Sequence, residues 1–272
     1  MADDTRAIAA RTIGEVLSGK SLNQILPGAL GKVSPRDRGL LQQLCYGTLR
    51  QAPRLQALLA QLLNKPLRDK DSDVRGLLLC GLYQLEDTRI PDHAAVSATV
   101  AATATLKKYW ARGMTNAILR RFLRERETLT AGLGEAASLS HPDWLLGALR
   151  AQWPNHWQGI VAANNEQPPM TLRVNSLHGS RDEYLRERAG AGMDASPGKL
   201  SPQAVYLGEP RDVLELPGFE DGRVSVQDEA AQLAAIALQA QPGDRVLDAC
   251  AAPGGKSGHI LELQPALGEL VA

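Results

Sequence analysis

Ten consecutive residues carry the strongest chemical signal in the chain: Asp248-Ala249-Cys250-Ala251-Ala252-Pro253-Gly254-Gly255-Lys256-Ser257. They follow Arg245-Val246-Leu247, a short buried-strand pattern, and precede Ile260, Leu261 and Leu263 at helical spacing; Gly268 to Ala272 then opens a second strand. Strand, small-residue loop, helix, strand is the opening βαβ unit of a nucleotide-binding α/β fold, whose ligands sit beyond the carboxyl end of the first strand. Glycines let a ligand approach the backbone, and a helix start presents unpaired amides to an anionic group. A plain tight turn accounts for Gly254-Gly255 but not for Asp248 and the other small residues. The dinucleotide pattern G-x-G-x-x-G is absent, and G-x-x-x-x-G-K-[ST] would need its first glycine where Cys250 stands, which argues against ATP hydrolysis.

A second constellation lies at 107–126. Lys107, Lys108, Arg112, Arg120, Arg121, Arg124 and Arg126 crowd there with Glu125 as the only acid and with Tyr109 and Trp110 alongside. Cations neutralise phosphates and aromatic faces stack on exposed bases, so RNA contact is expected at Lys107, Lys108, Arg112, Arg120 and Arg121. The competing reading is a solvated face opposite Ile118, Leu119, Phe122 and Leu123. Cys45, Cys80 and Cys250 form no C-x-x-C pair and the five histidines are dispersed, so no metal is expected. Cys45 and Cys80 fall among helical apolar residues and read as small buried hydrophobes.

The elements that must position these groups divide the chain. Its 272 residues balance 30 Lys and Arg against 30 Asp and Glu, but residues 1–135 hold 20 against 13 and residues 136–272 hold 10 against 17. A basic half facing a polyanion and an acidic half are therefore expected. Helical apolar stripes recur in the first half: Ala9 to Leu17, Leu40 to Leu49 behind a Ser34-Pro35 start, Leu55 to Leu63, Val74 to Leu85, Ala94 to Ala104, and Ile118 to Leu123. Ser140-His141-Pro142 breaks this run. After the turn-rich Asn164 to Pro169, strands are expected at 170–175, 204–207, 213–216 and 224–226. Helices are expected at 181–189 and at 228–239, the latter with Leu233, Ile236 and Ala237 on its apolar side. The fold class is multidomain: an all-α domain over 1–138, a small α+β module over 139–227, and the beginning of a Rossmann-like α/β domain over 228–272. No stretch approaches ~20 apolar residues and the N-terminus lacks a secretory pattern, so a cytoplasmic chain that spans no membrane is expected.

Asp248 to Ser257 resembles the first cofactor motif of the RNA cytosine-5 methyltransferases that use S-adenosylmethionine, the RsmB/NOP family. Leu172-Arg173-Val174-Asn175, Pro217-Gly218-Phe219 and Val226-Gln227-Asp228 resemble the segments those enzymes place before it. Asp37 to Leu41 through Tyr46-Gly47, Gly81 to Leu85, and Pro91 to Val96 resemble a NusB-like helical domain. The resemblance implies methyl transfer to carbon-5 of one cytosine in 16S ribosomal RNA, with Asp248, Cys250, Ala251, Ala252, Pro253, Gly254, Gly255 and Lys256 at the cofactor and Asp248 toward its amino end. Family members add a cysteine thiolate to carbon-6 of an unpaired or extruded base. That cysteine and its P-C motif lie downstream in the family, so no catalytic residue is expected within 1–272, Cys250 is not the nucleophile, and the methyltransferase domain is expected to be truncated and inactive alone. The alternative is a noncatalytic NusB-like module that binds RNA or protein in transcription antitermination or ribosome assembly.

Overall fold

The computed structural model describes residues 4–272, which form two compact units, 4–167 and 168–272. The first unit contains ten helices among its described residues: α1 (Thr5–Leu17), α2 (Leu22–Leu30), α3 (Arg38–Arg50), α4 (Ala52–Leu62), α5 (Ser72–Asp87), α6 (Asp92–Thr105), α7 (Ala111–Ala131), α8 (Glu135–Ser138), α9 (Asp143–Gln152) and α10 (Trp157–Asn165). Every expected stripe became a helix. Helix α1 opens on Asp4, whose carboxylate accepts from the amides of Arg6 (2.8 Å) and Ala7 (3.4 Å). The start at Ser34-Pro35 differs from expectation. It makes one 3₁₀ turn, Pro35–Asp37, and Ser34 Oγ donates to the Asp37 carboxylate (2.7 Å) instead of capping an amide.

Helix α5 runs through the middle of this unit and buries nearly all of Val74 to Leu85, packing with Ile13, Leu41, Leu55, Leu58, Leu119 and Phe122. Its approach to α1 is close enough to require glycine twice. A Cβ on Gly76 would stand 2.2 Å from the carbonyl oxygen of Ala10, and one on Gly14 would stand 2.5 Å from that of Ser72. The first unit also continues past the composition shift near residue 138. Arg150 of α9 pairs with Glu135 and lies over the Trp157 ring at 4.3 Å, and Asn165 Nδ2 donates to the Leu139 carbonyl (2.9 Å). The break in packing therefore falls at Gln167–Pro168 rather than at 138.

The second unit holds a four-stranded antiparallel sheet in the order β2-β3-β1-β4, made of β1 (Thr171–Val174), β2 (Ala195–Pro197), β3 (Ala204–Leu207) and β4 (Val224–Val226). Helix α11 (Arg181–Gly190) joins β1 to β2 behind a capping box, with Ser180 accepting from the Glu183 amide and Glu183 from the Ser180 amide. Leu172, Val174, Tyr184, Val205, Leu207, Leu216 and Val224 make the core. The strand expected at 213–216 is a 3₁₀ turn, Val213–Glu215, because Asp212 accepts from the Leu214 amide (3.1 Å) and turns the chain there.

Helix α12 (Glu229–Leu238) follows β4, with Asp228 as its side-chain cap. Its buried residues are Glu229, Gln232 and Ala235, while Leu233 and Ile236 of the expected apolar side are half-buried and Ala237 is exposed. The polar pair turns inward because it finds partners. Glu229 accepts from the amides of Leu200 (2.7 Å) and Ser201 (2.9 Å) and from Tyr206 Oη, while Gln232 bonds Ser201 Oγ and the Leu172 carbonyl. Burial alone would raise the Glu229 carboxyl. The Tyr206 and amide hydrogen bonds reverse this and hold it below the usual carboxylate range, and the same bond pushes the Tyr206 phenol up to about 12. Beyond α12, β5 (Arg245–Leu247), α13 (Gly255–Leu263) and β6 (Glu269–Val271) form the expected βαβ unit, with β5 and β6 parallel. The burial expected of β5 is not found, since Leu247 is exposed.

Candidate cofactor loop and RNA-facing surface

The loop between β5 and α13 is shaped mainly by one carboxylate. Asp248 Oδ2 accepts from Ser257 Oγ (2.7 Å), Oδ1 accepts from the Cys250 amide (3.3 Å), and the Asp248 amide continues the parallel ladder to the Val271 carbonyl (2.8 Å). Asp248 thus ties the strand end to the first turn of α13. Gly254 stands at the helix N-cap with φ +98°, a conformation that L side chains avoid, and space around its Cβ position is open. No side chain caps this end of α13. The amides of Gly255, Lys256 and Ser257 take no partner among the described residues, as at other helix starts that can bind an anion. Cys250, Ala252, Pro253, Gly255 and Lys256 are exposed, and Ala251 and Gly254 are half-buried. The loop residues named in the sequence therefore come together on one accessible rim. A cavity of about 340 Å³ lies toward the other end of α13, between Ala235, Ile236, Gln239, Ile260, Leu263 and Gln264.

Beneath this rim lies a polar node of which the sequence shows only Arg173 and Gln227, each as part of a motif. Arg173 of β1 is buried. Its Nε and Nη2 form a two-pronged pair with Glu262 of α13 (3.1 and 2.6 Å), and Nη1 reaches the Gly255 carbonyl (2.7 Å) and the Gln227 side chain. One helical turn before Glu262, His259 is also buried, and neither ring nitrogen has a partner among the described residues. Desolvation, reinforced by the Arg173 charge, pushes its pKa down to about 4.

His259 therefore stays neutral in the folded protein while an unfolded chain protonates near 6.5. The unfolded state binds the extra proton between those two values, so stability of the second unit is full above pH 6.5 and falls as pH drops toward 4, by up to about 3 kcal/mol. Urea unfolding of the second unit, followed by hydrogen exchange between pH 7 and pH 4.5, should give a falling midpoint that flattens in His259→Leu. An imidazole that titrates near 6.5 by NMR would remove the argument.

The structure sorts the basic cluster into free and engaged charges. Lys108 Nζ is held by Asp71 (2.8 Å) and Asp73 (3.3 Å), tying the α6–α7 turn to the start of α5, and Arg121 pairs with Glu125 (2.9 Å). The hydrogen bond to Asp71, opposed by desolvation, holds the Lys108 ammonium above its ordinary range. Arg126 lies over the Phe122 ring and donates to the Leu85 carbonyl. Lys107, Arg112, Arg120 and Arg124 are exposed and take no salt bridge among the described residues. Tyr109 and Trp110 are exposed beside them. A groove of about 530 Å³ places Arg68 and Lys70 against Trp110, adding two cations that the sequence reading left out because they lie some forty residues upstream.

Three families match consecutive segments: the NusB family over 3–124, an RsmF/B-like methyltransferase ferredoxin-like domain over 141–214, and 16S rRNA methyltransferase RsmB/F over 235–272. Ribosomal RNA small subunit methyltransferase B of Pseudomonas putida is 55% identical over 270 residues, covering 98% of this chain and 62% of that protein. This chain is similar over nearly its whole length to the RsmB/F 16S rRNA methyltransferases. The Vibrio cholerae member is 47% identical over 265 residues, covering 96% of this chain and 61% of its own length. The chain thus spans about three fifths of the curated RsmB/F relatives it matches. The crystal structure of PH0851 shares the fold, with a TM-score of 0.74 at 17% identity over 99% of this chain and 63% of that one. Helices α1 to α6 and most of α7 lie in the NusB-like segment, α9, α10 and β1 to β3 lie in the ferredoxin-like segment, and the βαβ unit lies in the start of the methyltransferase domain.

Proposed function

We propose that these residues supply the RNA-holding and cofactor-holding parts of an S-adenosylmethionine-dependent methyltransferase acting on carbon-5 of a cytosine in 16S rRNA, in the cytoplasm. The observation that carries the reading is the Asp248–Ser257 loop. Its small side chains, left-handed Gly254 and uncapped helix start fit a ligand with an anionic end, the shape of support that the amino-acid end of S-adenosylmethionine requires. When bound, that cofactor supplies an electrophilic methyl group. Gly255 and Lys256 would hold its carboxylate through backbone amides, with Gly254 shaping the turn through its bond to the Ala251 carbonyl and Ala252 and Pro253 flanking. Asp248 holds the loop in shape through Ser257 and stands at its inner edge. A pure RNA- or protein-binding module has no use for this loop.

Carbon-5 of cytosine needs a thiolate added at carbon-6 to become nucleophilic. Cys45 and Cys80 cannot provide one, since burial pushes both thiols up to about 12. Cys250 is exposed but sits on the cofactor loop. The nucleophile is therefore none of these three, and the chain binds cofactor and RNA without transferring the methyl group. Calorimetry should detect S-adenosylmethionine binding that Gly254→Val weakens by about tenfold, because a β-branched residue is strained at positive φ. Labelled methyl should not reach 16S RNA. Transfer abolished by Cys250→Ser would overturn the assignment of Cys250, and absence of cofactor binding would overturn the reading of the loop.

A further inference from the structure

We propose that Arg173, although it lies outside the cofactor loop, is the positioning residue that sets the height and rotation of α13 and so aims the loop's free amides. The inference rests on the reading of that loop as the cofactor cradle. A helix pinned at one point can still roll or slide. Arg173 holds α13 at two points, the Gly255 carbonyl in the first turn and the Glu262 carboxylate near the far end. Gly255 belongs to the loop itself, so the guanidinium reaches from β1 to the loop's own backbone. Four donor contacts leave from one planar, buried group that is fixed in the central strand β1, between β3 and β4. Gln227 closes the node from the segment between β4 and α12, where its own amide donates to the Thr171 carbonyl.

This arrangement explains why a charge is buried in a strand that otherwise faces apolar neighbours. A guanidinium supplies several donors at fixed angles, whereas a lysine ammonium supplies a point charge on a flexible stem and cannot serve Gly255 and Glu262 with the same geometry. His259 sits in the same buried layer, and its neutral ring adds no competing charge. The node thus couples the small antiparallel sheet to the loop within one compact unit.

The test compares the full chain with Arg173→Lys and Glu262→Gln, measuring S-adenosylmethionine affinity by calorimetry and amide exchange across 255–258. Arg173→Lys keeps the buried charge and is expected to retain a cooperative unfolding transition. It should nevertheless weaken S-adenosylmethionine binding by about tenfold or more and accelerate exchange at 255–258, with Glu262→Gln showing a smaller change of the same kind. A merely structural Arg173 would lower the melting temperature and leave affinity and loop exchange at wild-type values, which overturns the proposal. Should the wild-type chain fail to bind S-adenosylmethionine, the loop reading falls, and the exchange comparison alone still decides whether Arg173 positions the loop.

Discussion

Replacing Gly76 with valine is expected to destabilise the helical unit by about 3–5 kcal/mol. The cost does not come from the residue's own preference, since glycine in a helix interior is worse than most residues. It comes from backbone. The Ala10 carbonyl oxygen would lie 2.2 Å from the new Cβ and the Gly14 amide 3.0 Å away, and neither belongs to a side chain that can swing aside. Helices α1 and α5 would have to separate, opening gaps beside Ile13, Leu77 and Leu78, all of them fully buried. All four tryptophans, Trp110, Trp144, Trp153 and Trp157, lie in this unit, so their fluorescence follows its urea unfolding alone. Gly39→Ala is the control: space around that position is open, and its midpoint should stay or rise slightly. A wild-type midpoint for Gly76→Val would mean that the crossing has slack.

That crossing illustrates what the sequence makes legible. Leucines repeating at helical spacing identify α3, α4 and α5, because burying such a stripe is the dominant favourable term. The tight side of α1 is different. Ala7, Ala10 and Gly14 make no apolar stripe of note, and their importance depends on a partner glycine about sixty residues away. Helix α2 has Leu22, Ile25, Leu26, Ala29 and Leu30 at helical spacing, but its interior Pro27 reads as a breaker and hides the stripe. Similar logic explains α12. Hydropathy alone turns Leu233 and Ile236 inward, whereas Glu229 and Gln232 take those places because Ser201, Tyr206 and the Leu172 carbonyl complete their hydrogen bonds. Strand β2, three residues including a proline, offers no alternation to read.

The cofactor loop was legible because its chemistry is local: ten contiguous residues carry both the turn and the helix start. Its support was not. Arg173, Gln227 and Glu262 come from three separate elements, and no spacing rule connects them. Each could be read as a motif fragment or a surface charge until β1, the end of β4 and α13 were seen to converge. Asp248 was expected at the ligand, yet its two oxygens first serve Ser257 and the Cys250 amide, a contact that only the folded loop brings about.

For the basic cluster the same distinction has a measurable consequence. A charge already held by a carboxylate gives little counterion release, so neutralising Lys108 or Arg121 should leave the salt dependence of RNA binding nearly unchanged. Lys107→Ala, Arg112→Ala, Arg120→Ala and Arg124→Ala combined should lower the slope of log affinity against log salt by about 3, at ~0.7 per lost single-strand phosphate contact. At 0.1 M salt that amounts to a loss of about 10²–10³-fold, read by filter binding of a 16S rRNA fragment. Residues 112, 120 and 124 fall within roughly a third of the circumference of α7, so one strand can meet all three beside the exposed Trp110. Trp110→Ala should weaken binding by about ten- to a hundredfold at every salt concentration without altering the slope, because stacking releases no counterions. Lys108→Ala carries a second signature: it leaves Asp71 and Asp73 unpaired at the start of α5 and should cost stability rather than affinity. If Lys108→Ala and the quadruple variant lose the same slope, the pairing seen at Asp71 opens for RNA and the division between free and engaged cations is wrong.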